Sequence, residues 1–276
     1  MQKKRIASRV VNTIWVTACG IVFLLPLLWM LSSSLKQGHE VFSPTFKWLP
    51  DVFQWKNYVQ VWTHEKVPFW KLYGNSLFIA GIGTIGELIV ASMAGYSLSK
   101  IKYKGRDFIF LVMLVTMMIP AQAIIIPKFV LFKWINLYNN PWALILPAWF
   151  NVTSIFLLKQ FYAGLPNDLM EAAKIDGANH FEIWWKVMLP LTKPAMVTCA
   201  VLAFINSWNE YLSAIVFLPT SKNYTVSQGI QYWINMSDDY SLMMTAAASA
   251  ILPVVILFLF TQRYFVESIA TTGVKG

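Results

Sequence analysis

Two acidic side chains stand where acids are expensive. Glu87 is the one charged residue in 72–99, and Glu210 the one in 194–221. An ionisable group inside an apolar stretch of membrane length marks an ion or proton path, or a bond made inside a helix bundle. Glu210 also closes Trp208-Asn209-Glu210, where indole, amide and carboxylate together could meet the rings and hydroxyls of a sugar. A third candidate is a polar island between two long apolar runs. It reads Glu171-Ala172-Ala173-Lys174-Ile175-Asp176-Gly177-Ala178 and is closed by Leu189-Pro190. Its chemistry is that of docking. Ala172 and Ala173 permit close approach, and Glu171 offers one charge that an Arg or Lys of a partner could answer.

Other chemistries are excluded or weak. Gly81, Gly83 and Gly86 spell GxGxxG, but a dinucleotide site needs a strand before the motif and a helix after it. Here the motif lies within a 28-residue apolar run, 72–99, so close helix packing through small residues is the expected role. The chain has no GxxxxGK[ST] phosphate loop, so it is expected neither to bind nor to hydrolyse ATP unaided. It has no GxSxG or HExxH motif and no convergent Cys/His set. Cys19 and Cys199 fall inside apolar runs as small buried residues, and His39, His64 and His180 are far apart, so no disulfide framework and no metal site is expected.

The elements that must position these residues are membrane helices. The chain is 57% hydrophobic and 13% charged, against about 25% charge in a soluble domain. Six stretches, 10–35, 72–99, 108–127, 134–158, 194–221 and 240–262, carry no charge or a single acid. Each is long enough to cross hydrocarbon as a helix, for which about 20 residues suffice. Six spanning helices are therefore expected. The runs lack the period-2 alternation of a barrel. The first is longer than a signal-peptide core and lacks a small-x-small site, so it is read as a retained helix. The net charge of +9 does not point to nucleic acid, because its placement follows the bilayer. With the N-terminus inside, inner segments hold 14 Lys and Arg and outer ones 8, the positive-inside bias. Six spans put both termini in the cytoplasm. Trp48, Trp55, Trp62 and Trp70 in the long outer segment suit the bilayer interface. Pro120, Pro127, Pro147 and Pro253 invite kinks.

Within the island, Asp168 is expected as an N-cap with Glu171 completing a capping box. A helix over Leu169–Ile175 then ends where Gly177 turns left-handed, and a second helix runs from Asn179 to Met188. The first has about two turns and is unstable alone in water, so it must dock. Two readings stand: an amphipathic connector on the membrane surface, or a contact for a cytoplasmic protein.

At these residues the chain resembles the permease subunits of ATP-binding-cassette (ABC) importers. Their signature is Glu-Ala-Ala, a Gly, then aliphatic-x-Leu-Pro. Here it is Glu171-Ala172-Ala173, Asp176-Gly177-Ala178 and Val187-x-Leu189-Pro190, with Val in place of the usual Ile. Ser207-Trp208-Asn209-Glu210-Tyr211 resembles the Trp-Asn-Asp/Glu motif of the carbohydrate branch. Gly273-Val274-Lys275-Gly276 resembles the tail of the shorter, maltose-transporter-type permease, although Ile269-Ala-Thr-Thr272 departs from the usual Gly-Leu-Thr-Ala-Gly. The resemblance covers roughly 70–276. It implies an all-α type I importer transmembrane domain over 71–265. Residues 1–70 precede it as tail, first helix and outer segment, and 266–276 follow as a cytoplasmic tail. It implies a heterodimer with a second, homologous permease, two ATPase subunits that hold ATP and Mg, and an extracytoplasmic solute-binding protein. It places the chain in the inner membrane of a bacterium or archaeon with a sugar as cargo. Residues 169–190 would be the coupling loop and Gly273, Val274, Lys275 and Gly276 a second ATPase contact. The competing reading is an ion-coupled secondary transporter that uses Glu87 and Glu210.

Overall fold

The computed structural model describes the backbone of residues 2–45, 47–236 and 238–273. All regular structure among them is helical, as expected of apolar runs whose backbone must satisfy itself in lipid. The main helices are α1 (Gln2–Ser34), α2 (Phe69–Lys100), α3 (Arg106–Thr116), α4 (Ala121–Trp134), α5 (Trp142–Ala148), α6 (Val152–Ala163), α7 (Asp168–Ile175), α8 (His180–Leu191), α9 (Lys193–Asn209), α10 (Leu212–Phe217), α11 (Val226–Met236) and α12 (Tyr240–Gly273). Four stretches are long and apolar enough to cross a bilayer singly: α1, α2, the α5–α6 run Trp142–Ala163, and α12. The pairs α3–α4 and α8–α9 bend by 99° and 83°. The expected six is reached where each bent pair counts as one span.

The bends follow from local chemistry. Between α3 and α4 the chain makes tight turns over 117–119 and reaches Pro120, whose backbone is extended and which opens α4. Proline has no N–H and disfavours helix in the residue before it. The run 134–158 was expected as one helix, but it begins with the end of α4. Asn136 and Asn139 are left-handed (φ 57° and 59°), a region that Asn tolerates well. The helix restarts after Pro141 and breaks again at Trp149–Asn151, where Asn151 Oδ1 accepts the N–H groups of Thr153 and Ser154 (2.9 and 3.4 Å). The run 194–221 breaks at Glu210, which is extended.

Contacts divide the chain into two units, Met1–Trp70 with Gly229–Leu252 and Lys71–Gln228 with Pro253–Gly276. In the first, Asn57 Nδ2 donates to the carbonyls of Ser34 and Lys36 (3.0 Å each), and Thr245 Oγ1 donates to Ser34 O (2.9 Å). Trp48, Trp55 and Trp70 are exposed, while Trp62 donates to Ser249 Oγ at 3.1 Å. Among the described residues the apolar side chains of α1 before Trp29 are mostly exposed, Trp15 and Phe23 largely so.

The second unit carries the candidate sites. Toward the C-terminal end of α2, Tyr96 and Leu98 pack with Ile155, Leu158 and Tyr162 of α6, Met170 of α7, and Ile183 and Met188 of α8. Toward its N-terminal end, Ile79 packs with Phe132, Ile145 and Phe217.

Candidate functional site

The polar island folds as the helix pair α7–α8, broken at Asp176–Gly177. Gly177 has φ +84°, a left-handed conformation that closes a helix most cheaply at glycine. Its N–H donates to Lys174 O at 3.0 Å, and the Ala178 N–H to Ala173 O at 3.0 Å. α7 turns Met170 into the core and rests Ala173 against it, and Ala178 rests there too. Glu171, Ala172, Lys174, Ile175, Asp176 and Gly177 face outward. Ile175 is 87% exposed. Among the described residues the Glu171 carboxylate has no hydrogen-bond or ion-pair partner.

The start of α7 differs from expectation. Its N-cap is Asn167, and Asp168 is the first helical residue, so the Asp168–Glu171 capping box does not form. The Asn167 side chain makes no cap bond either. Its Oδ1 accepts from Lys100 Nζ at 2.8 Å, across 67 residues of sequence. A side-chain cap contributes about 1 kcal/mol, and α7 begins without one.

α8 carries the box that α7 lacks. Asn179 Oδ1 accepts the N–H groups of Phe181 and Glu182 (3.0 Å each), and Glu182 Oε2 accepts the Asn179 N–H at 3.1 Å. The helix continues past the expected Met188 to Leu191, and Ile183–Met188 wind as a wide π-type turn. Ile183, Trp184 and Met188 are buried, whereas Phe181 and Trp185 are exposed. Leu189 is partly buried against the core and Pro190 is exposed.

The Asn179 N–H and then Lys186 hold the Glu182 carboxyl below its ordinary value of 4.5. A depressed carboxylate stabilises the fold above its unfolded value, and that contribution is lost as pH falls through the lower folded value. The protection factor of the Asn179 amide should therefore be flat above pH 4.5 and fall on further acidification. Glu182→Gln should flatten that acid limb.

The second site is a cavity of about 740 Å³ whose polar lining includes Glu87, Lys128, Asn151, Asn206, Ser207 and Glu210. Glu87 is 3% exposed and accepts from Ser154 Oγ at 2.5 Å. Glu210 sits at the α9–α10 break, where its Oε1 accepts the Ser213 N–H at 2.7 Å and its carbonyl accepts from Ser227 Oγ at 2.9 Å. The Glu87 carboxyl therefore joins α2 to α6, and the Glu210 carboxylate caps the start of α10. Of the three residues expected together, only Glu210 lines the cavity. Trp208 is buried between Phe204, stacked at 5.7 Å, and Tyr73, edge-on at 5.4 Å, while Asn209 is exposed outside the lining. Asn151, Asn206 and Lys128 escaped the sequence reading, and Ser207 entered it only as the flank of the Trp208-Asn209-Glu210 motif. Lys128 was the detectable one, a cation directly after an apolar run.

The GxGxxG stretch serves packing. Trp149 Nε1 donates to Ile82 O at 3.2 Å, and its indole fills the space above Gly86. A Cβ at Gly83 would meet Ser207 and Ala148 at ordinary contact, and one at Gly81 would meet nothing within 4 Å. Gly273 is the last residue of α12. Val274, Lys275 and Gly276 lie outside the described residues.

The family model described as binding-protein-dependent transport system inner membrane component matches residues 87–271. The chain is 33% identical over 270 residues to the arabinooligosaccharides transport system permease protein AraQ of Halalkalibacterium halodurans, covering 95% of this chain and 96% of that one. A solved chain of a bacterial ABC transporter that imports the acidic polysaccharide alginate superposes with a TM-score of 0.82 at 26% identity, covering 96% and 98%. A second, from a bacterial alginate ABC transporter in complex with an alginate pentasaccharide-bound periplasmic protein, shares the fold with a TM-score of 0.68 at 13% identity, covering 94% of each.

Proposed function

The chain belongs to the family of binding-protein-dependent transport system inner membrane components, and from that premise we propose that it is the shorter permease of an ATP-driven carbohydrate importer. It lies in the inner membrane with both termini in the cytoplasm. It forms half of the translocation path with a second, homologous permease. Two ABC ATPase subunits beneath the pair hold ATP and Mg and perform the hydrolysis. An extracytoplasmic solute-binding protein delivers sugar from the other side. Closure of the ATPases on ATP moves α7–α8, and the spans exchange inward for outward access. The transduction is a differential contact with two states of a partner.

The observation that carries this reading is the outward face of α7. A two-turn helix presents Glu171, Ala172 and Ile175 to solvent while Met170 anchors it to the spans. Such a face suits a cleft on a partner. The tail 273–276 is assigned to the same partner. Glu210, Asn206 and Asn151 face the transport path. The bonds already made by Glu87 and Glu210 favour structural work over an ion path.

The test is isolation of the tagged native chain in mild detergent with mass spectrometry of what co-purifies. An ATPase and a second permease are expected, with ATP hydrolysis raised by a sugar-loaded binding protein. Arabino-oligosaccharides are the first cargo to try, given the AraQ relative. A chain that purifies alone and transports on an ion gradient would overturn the proposal.

A further inference from the structure

We propose that Lys100 is a positioning residue that ties the end of α2 to the α7–α8 segment, so that α2 moves with that segment. This rests on the docking role proposed for α7. Lys100 is the last residue of α2 and is 8% exposed. Its Nζ donates to Leu165 O at 2.6 Å and to Asn167 Oδ1 at 2.8 Å. A buried ammonium ordinarily has a carboxylate partner, yet no ion pair among the described residues involves Lys100. It lies instead where the C-terminal ends of α2 and α6 converge, and helix C-termini favour a cation. The segment Gly164–Asn167 joins α6 to α7, so this one ammonium holds the entrance of the proposed docking helix.

Two further features set this contact apart from ordinary packing. Asn167 occupies the N-cap position of α7, but its side chain serves Lys100 and leaves the cap bond unmade. One turn earlier on the same face of α2, Tyr96 OH lies 3.4 Å from His180 Nδ1 and 3.8 Å from Met170 Sδ. Tyr96 and Lys100, four residues apart and so neighbours on one helix face, reach the α6–α7 link, α7 and the first residue of α8. The same helix carries Gly86 and Glu87 farther up, against Trp149 and Ser154, and Glu87 lines the cavity. A displacement of α7 thus has a direct route to the cavity wall, besides the covalent route through α6 and α9.

The test uses the complex of this chain with its partners, reconstituted in liposomes, with nitroxide labels replacing Ile89 on α2 and Lys174 on α7. In the otherwise native chain one narrow distance is expected, and ATP should leave it unchanged because the two helices move together. In Lys100→Met the distance should broaden on ATP, and Lys100→Arg should restore the narrow distribution. Asn167→Leu removes the acceptor from an exposed position without removing a cap bond, so it serves if Lys100→Met fails to fold. It should broaden the distance as well. Unchanged narrow distances in the folded variants with ATP bound would overturn the tether. An Ala172→Cys cross-link to the ATPase subunit reports docking separately. A cross-link with narrow distances in the variants sinks the tether alone. No cross-link in the otherwise native chain sinks the docking role and the tether with it.

Discussion

Glu171→Ala is expected to lower ATP-dependent sugar uptake by about 30-fold or more, the scale of the ~2–5 kcal/mol lost when one member of a buried interfacial charge pair is truncated. Stability should hardly change. The carboxylate is exposed and unpartnered within the described chain, and surface substitutions of that kind shift stability by about 0.5 kcal/mol or less. Unlike a core substitution, the variant should purify in normal yield, retain its partner permease and show an unchanged melting profile. Glu171→Gln, which keeps the shape and loses the charge, should fall near the alanine variant if a basic residue on the ATPase is the counterpart. Uptake per molecule of assembled complex is the deciding measurement, and wild-type uptake in both variants would remove Glu171 from the coupling contact.

The second large effect lies in the membrane. Gly86→Ala would place a methyl inside the Trp149 indole. That ring is held from two sides, by its bond to Ile82 O at 3.2 Å and by edge contact with Trp142 at 6.2 Å. It cannot slide without opening the α5–α6 break. Overpacking of this kind costs about 1–3 kcal/mol, so a lowered melting temperature in detergent and a loss of transport are expected together. The same motif supplies its own controls. Gly81→Ala has open space and should be silent, and Gly83→Ala meets only ordinary contacts. A melting series that ranks 86 far below 83 and 81 supports packing. Equal effects at all three would point to a role for the motif that depends on its letters rather than its surroundings. Gly95 belongs with Gly86, since a Cβ there would come within 2.9 Å of the Lys159 backbone nitrogen.

These cases show where the sequence was legible. The end of α7 was readable because Gly177 is a local signal, and the left-handed φ is local too. Its beginning was not, because Asn167 answers to Lys100, a partner 67 residues away. Charge-free runs located the apolar segments, since hydrocarbon selects composition. Pro120 marked the break at 117–120, but the runs did not locate those at 135–141, 149–151 and 210. Those depend on turn conformations at Asn136 and Asn139, on the cap at Asn151, and on Glu210 capping the start of α10, none of which alters hydropathy. Trp208 was legible as important and illegible in direction. An aromatic residue in a span can face a cavity or a neighbouring ring, and Tyr73 and Phe204 decide for the ring.

The wide turn at Ile183–Met188 makes the length of α8 as constrained as its letters. Each helical residue advances the helix face by about 100°, and a π-type turn holds one residue more than an α-turn. Trp184 points into the core and Trp185 out of it. Deleting a single residue between Gly177 and Leu189 could restore regular α geometry while rotating one end of α8 against the other. Either the buried residues or the outward aromatic edge would then lose its place. Tolerance to insertion and deletion should therefore be near zero across this stretch, even at exposed positions such as Lys186, whose side chain pairs only with Glu182 one turn away.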